Sequence, residues 1–290
     1  INLPIGLVVL AGLFYWAKES RQEHKEKGID VVGALLSVVM FSTLVFGLIE
    51  GRVYGWWQVN EKNPFVLGDF KWATSGISII PVALAISLVT FVAFVLYERH
   101  RAKNNRSVLL DLEVFKVASF RNGSIAALII SMGEFGILFA IPLWLQNVLG
   151  LTPISSGLVL LWLAGGSFLA SGIAGGMAGK LAPAVLVRVG VALELIGVLG
   201  VALFASAEVG FWSIVPFLFI YGIGIGLATA QLTGVIMVDI SMDKAGQASG
   251  SQSTVRQIGS ALGIAVLGTM LFTGVQGSLE NRLEDFKNDG

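Results

Sequence analysis

The stretch Asn122–Gln146, NGSIAALIISMGEFGILFAIPLWLQ, holds one ionisable side chain in 25 residues, and that one, Glu134, sits near its centre. A helix rises about 1.5 Å per residue, so a run of this length covers the roughly 30 Å of a bilayer core. Backbone groups in lipid must be bonded within the segment, which makes such a run a helix. It lacks the two-residue alternation of a membrane β-strand.

The same reading extends along the chain. Of the 290 residues, 55% are hydrophobic and 13% charged, and the charges fall in short clusters between long apolar runs. Eight spans are expected, at 1–17 (clipped), 30–50, 76–97, 122–146, 154–178, 182–206, 211–237 and 248–275. The fold class is therefore all-α, a polytopic transmembrane helix bundle. Connections are expected at 51–75 and 98–121, and a loop at 276–290. The chain opens mid-pattern, without an initiator Met, and reads as part of a longer protein.

Lys and Arg set orientation. The odd-numbered connections carry 12 of them, and the even-numbered ones with the tail carry 5. The odd connections are thus expected on the cytoplasmic side, 98–121 is a cytoplasmic linker, and the tail is extracytoplasmic. The location is the cell membrane, crossed many times. The aromatic-rich loop 51–75 is expected against the outer interface. Leu109–Val117 is amphipathic and is expected to lie on the inner one as a short helix.

Several chemistries are disfavoured. Lys+Arg and Asp+Glu both number 19, so no net charge favours nucleic acid. There is no cysteine, and the two histidines, His24 and His100, lie in charged stretches, which argues against a metal site. Gly222-Ile223-Gly224-Ile225-Gly226 has the wrong spacing for a dinucleotide loop and lies inside a span. A membrane enzyme would need clustered acids or a His–carboxylate pair, and Asp239 with Asp243 lacks such partners. No enzyme activity and no cofactor are expected.

Ionisable groups at the bilayer centre are costly and so are candidates for function. Glu134 and Glu194 are both at mid-span and at similar depth. A carboxyl there that can be neutral or charged suits proton coupling, and its charge would attract a lipophilic cation. Ser131, Phe135, Phe139 and Gln231 are the expected cavity lining, the two Phe rings offering cation–π contact. Arg256 either snorkels to the cytoplasmic interface or pairs with Asp239 or Asp243 as an inner gate. Small-xxx-small pairs at Gly172/Gly176, Gly175/Gly179, Gly222/Gly226, Gly246/Gly250 and Gly259/Gly263 allow close helix approach, whether for sliding or for static packing. Pro81, Pro142 and Pro216 are expected to kink their spans.

Some of these residues carry a family likeness. Ile1-Asn2-Leu3-Pro4-Ile5-Gly6, Ile141-Pro142-Leu143-Trp144-Leu145-Gln146, and above all Gly246-Gln247-Ala248-Ser249-Gly250 followed by Arg256-Gln257-Ile258-Gly259 and Ala261-Leu262-Gly263 resemble EmrB/QacA-like drug–proton antiporters. These are fourteen-helix members of the major facilitator superfamily. The resemblance implies that 1–17 ends the N-terminal half. It makes 30–97 an extra two-helix insert and 122–275 the C-terminal bundle, with 276–290 starting the loop before a last helix. It implies proton-driven export of lipophilic, often cationic drugs, or of a metabolite, siderophore or lipid-like compound; a non-transporting membrane sensor is the remaining alternative. The implied partners are a small-molecule substrate, protons and membrane lipids, with a periplasmic adaptor left open. The family's antiporter signature lies outside this chain. The Gly179-Lys180-Leu181 loop lacks the usual Asp, and no proline stands near Trp162.

Overall fold

The computed structural model describes residues 2–16, 30–104, 106, 108–110, 112–177, 179–206, 210–242 and 244–288, with side chains described for 6–16 and onward to 271. Eight helices follow in order: α1 (Asn2–Trp16), α2 (Val31–Tyr54), α3 (Ile79–Lys103), α4 (Ala118–Asn147), α5 (Pro153–Gly176), α6 (Pro183–Phe204), α7 (Val215–Met237) and α8 (Ala245–Asn288). From α2 onward, all seven are long and apolar enough to cross a membrane, the last over Ala245–Leu271. The first is not. Its 15 residues reach about 22 Å, short of a bilayer core. The backbone of α8 stays helical to Asn288, where a loop was expected from 276.

Two of the three expected proline kinks are absent, because capping sets where the helices begin. Ser78 caps α3, its hydroxyl accepting from the Ile80 N–H at 3.3 Å, so Pro81 falls in the first turn. Pro216 is likewise in the first turn of α7. A proline there removes no helical hydrogen bond, since first-turn N–H groups have no partner within the helix. Only Pro142 interrupts a helix interior, in α4.

The helices pack as three groups: α2 with α3, α4 with α8, and α7 between α5 and α6. Glycine makes the close contacts. A Cβ on Gly263 would overlap the Met132 carbonyl of α4, and one on Gly259 the Leu128 carbonyl. On α7, Gly222 and Gly226 face Leu163 and Ser167 of α5, while Gly224 faces Gly190 and Glu194 of α6. Gly172, Gly175, Gly176, Gly246 and Gly250 meet nothing within 4 Å, so those sequence pairs are not helix contacts among the described residues. Gly179 instead takes φ +85, as a turn residue.

Ser87 of α3 is buried and donates to the Met40 carbonyl of α2 at 2.9 Å. Interhelical bonds of this kind in membranes contribute roughly 0.6 kcal/mol on average, because the separated helices find other partners. Ser87→Ala is therefore expected to lower stability by about that amount, read as a small shift in thermal unfolding of the detergent-solubilised protein.

Both long connections carry short elements of their own. After Tyr54 the chain turns at Gly55 (φ +88) and forms a hairpin, Val66–Leu67 against Phe70–Lys71. It folds back onto α2 through Phe46, Tyr54 and Phe65, whose rings lie 5.2–6.1 Å apart. Trp57 stays exposed. On the other side, the expected interfacial helix at Leu109–Val117 is a short 3-10 turn, Leu112–Lys116, and it is pulled inward. Val114 is buried with Phe120, Ile236 and Ala248, so the apolar side covers the inner ends of α4, α7 and α8. His100 is exposed in the last turn of α3, while His24 lies outside the described residues.

Candidate functional site

Glu134 emerges from the middle of α4, where Gly136 lets α8 come close: a Cβ there would lie 3.1 Å from the Gly263 carbonyl oxygen. The carboxyl is 4% exposed. One oxygen, Oε1, accepts from the Thr229 hydroxyl of α7 at 3.5 Å. The other, Oε2, lies 3.8 Å from Nη2 of Arg256 on α8. That distance gives an ion pair without a direct hydrogen bond, and Oε2 has no hydrogen-bond partner. Arg256 is steadied by its Nε, which donates to the Ser131 hydroxyl at 3.3 Å, one turn before Glu134. A buried carboxylate needs a nearby cation to offset its desolvation, and Arg256 supplies it.

A second group of polar atoms borders this one. Glu194 lies on α6 against Gly224, where a Cβ would come within 2.8 Å of its Cγ. Tyr221 rises from α7 against Gly197, one turn from Glu194. Glu134, Glu194 and Tyr221 lie within electrostatic reach of one another. Glu134 Oε2, Glu194 Oε1 and the Tyr221 hydroxyl are all buried without a hydrogen-bond partner. Buried polar atoms are ordinarily satisfied, so a cluster of three is suited to receive water or a ligand.

The expected lining divides. Ser131 belongs to the cluster. Phe139 packs on α8 at Gly268, and Phe135 is 38% exposed. Gln231 turns to the opposite side of α7 and donates to the Ala174 carbonyl of α5 at 3.2 Å.

The inner-gate pairing needs correction. Arg256 neither snorkels nor meets Asp239: it points to Glu134, and Asp239 is exposed beyond the end of α7. Asp243 lies outside the described residues. The bond between α7 and α8 on that side is made by Gln252, one turn inward of Arg256, which donates to Thr233 at 3.0 Å. Reading the sequence also passed over Tyr221, although a lone phenol beside Gly222 in a span was the available signal.

A separate cavity of about 720 Å³ opens between Leu48 and Trp56 on one side and Leu262, Ala265, Val266, Thr269 and Met270 of α8 on the other. It shares no lining residue with the Glu134 cluster.

A bundle of spanning helices has relatives among known proteins. Residues 1–264 match the profile of the Major Facilitator Superfamily. The chain belongs to that superfamily. It is a multi-pass membrane protein. Superfamily relatives include the "Probable actinorhodin transporter" of Streptomyces coelicolor, 30% identical over 96% of this chain and 45% of its own length. The "Multidrug resistance protein Stp" of Mycobacterium tuberculosis is 29% identical over 98% of this chain and 48% of its own length. The "Tetracenomycin C resistance and export protein" of Streptomyces glaucescens is 30% identical over 95% of this chain and 47% of its own length. The chain thus spans about half the length of the curated relatives it matches.

Proposed function

We propose that this chain contributes the C-terminal part of the path in a proton-coupled efflux antiporter, of the EmrB/QacA-like kind, exporting lipophilic and often cationic drugs across the cytoplasmic membrane. One observation carries the reading. A buried carboxylate on α4 holds a single cation at 3.8 Å, beside a second carboxyl and a phenol whose polar atoms lack partners. Protonating Glu134 removes the charge that holds a cationic cargo, and releases it outward. Losing the proton inward restores that charge. Glu194 aids by sharing the field of Glu134. The cargo binds near the midplane, where secondary transporters place their sites. The names of the drug-resistance and export relatives support the same direction.

A second reading, export of a metabolite, draws support from Arg256. Its guanidinium is a ready partner for an acidic or phenolic cargo once Glu134 is neutral. Two relatives are named for actinorhodin and tetracenomycin C.

The test is reconstitution of the full-length protein in liposomes with an imposed proton gradient. Efflux of a fluorescent lipophilic cation that stops when a protonophore is added is the expected result. Efflux of an acidic aromatic compound alone would favour the second reading. Failure of both cargoes under every gradient would overturn antiport.

A further inference from the structure

Away from the Glu134 cluster, the inner end of the α2–α3 hairpin buries another set of charges. Asp30, 4% exposed, caps α2, its Oδ1 accepting from the Gly33 N–H at 2.8 Å. Its Oδ2 pairs with Arg101 Nε at 3.3 Å. Glu98, 1% exposed, comes from the last turns of α3, and its Oε2 accepts from the Leu109 N–H of the linker at 3.1 Å. The remaining oxygen of each carboxyl points to one place. A Cβ on Gly33 would lie 2.5 Å from Glu98 Oε1 and 2.7 Å from Asp30 Oδ2. Both oxygens are buried beside Gly33, and as anions neither could donate to the other; Glu98 Oε1 has no hydrogen-bond partner, and Asp30 Oδ2 has its ion pair with Arg101 but no hydrogen bond.

One proton resolves this. Carried on Glu98 Oε1 and donated to Asp30 Oδ2, it gives both oxygens a partner and leaves every other bond in place. Two ionised carboxyls facing one small space repel, so a proton on Glu98 Oε1 stabilises the junction. Among the described residues, the charged and titratable groups facing the pair are Arg101 and, behind it, Tyr97, whose hydroxyl accepts from Arg101 Nη1 at 3.2 Å. The linker faces the pair with backbone N–H groups.

The linker makes this more than a local matter. Next to Leu109, the Val108 carbonyl accepts from Gln247 of α8 at 3.2 Å, and Val114 is buried at the inner ends of α4, α7 and α8. The hairpin therefore grips the connection that runs to the bundle.

We propose that Glu98 and Asp30 share a proton, and that this proton makes their junction a pH-sensitive latch between the α2–α3 hairpin and the linker. The latch is closed while the proton is bound and loosens as pH rises and the two carboxylates repel. This proposal stands whether or not the protein transports drugs.

Hydrogen exchange on the full-length protein in nanodiscs tests it, with the intrinsic pH dependence of exchange divided out. In the wild type, protection at Gly33 and Leu109 is expected to fall about tenfold or more between about pH 6 and about pH 9. Glu98→Gln keeps a donor toward Asp30 and an acceptor for Leu109 but cannot titrate, so its protection is expected to stay flat. Should that variant fail to fold, Asp30→Asn removes the carboxylate that repels an ionised Glu98 and is expected to flatten the profile as well. Wild-type protection that does not change with pH, or a pH slope that survives either substitution, would overturn the proposal.

Discussion

Glu134→Gln is expected to reduce gradient-driven efflux to the level of empty liposomes while the protein still inserts and folds. The amide fills the same space and keeps an oxygen for the Thr229 hydroxyl, which donates at 3.5 Å in the wild type. What it loses is the ability to exchange a proton and the charge opposite Arg256, 3.8 Å away. A neutral group at this position cannot alternate, so coupling ends even where cargo still binds. Glu194→Gln is expected to slow efflux without abolishing it, because in the proposed mechanism Glu194 acts only through the field it shares with Glu134. Measuring both variants against the wild type, with monodispersity on size exclusion as the folding control, separates the roles. Undiminished efflux in Glu134→Gln would assign proton coupling elsewhere.

The second large effect is on stability. Gly263→Leu is expected to destabilise the bundle by about 1–3 kcal/mol or more, the range for overpacking a close contact. The first added carbon would overlap the Met132 carbonyl of α4 and lie 3.1 Å from the Gly136 nitrogen. Backbone cannot move aside as a side-chain tip can, so α4 and α8 must separate and carry Glu134 away from Arg256. Gly172→Ala is the control. It belongs to the same kind of sequence pair, but nothing lies within 4 Å of its Cβ, and the change is expected to stay within about 0.5 kcal/mol. Thermal unfolding in detergent, followed by tryptophan fluorescence, reads both. Equal shifts in the two variants would remove the argument for a close seam at Gly263.

The spans were legible because hydropathy over about 20 residues is a local property, and so was the candidacy of Glu134, a lone carboxylate in an apolar run. Which glycines matter was not legible: Gly172/Gly176 and Gly259/Gly263 look alike until the neighbouring helix is in place. Partner choice at Arg256 failed for a related reason. Asp239 and Asp243 were near in sequence, whereas Glu134 is reached only once α4 crosses α8. Pro81 and Pro216 were misjudged because a helix start depends on which hydroxyl or turn caps it, and that displaces the first turn by a few residues. The linker's apolar side was readable, but a sequence does not say whether such a side meets lipid or the ends of other helices.

The grouping of the helices has a consequence for wetting. Within α4–α8 and within α5–α6–α7, backbone rests on backbone, and separating a pair would break the whole glycine seam at once. Between α4–α8 and α5–α6–α7 the contacts are sparser. Parting them breaks fewer contacts than splitting either group, and local opening favours such routes. The carboxyls lie on that border, Glu134 with Arg256 on one bank and Glu194 with Thr229 and Tyr221 on the other. A small separation there would hydrate both acids and pull them apart, while each bank stays folded as it was.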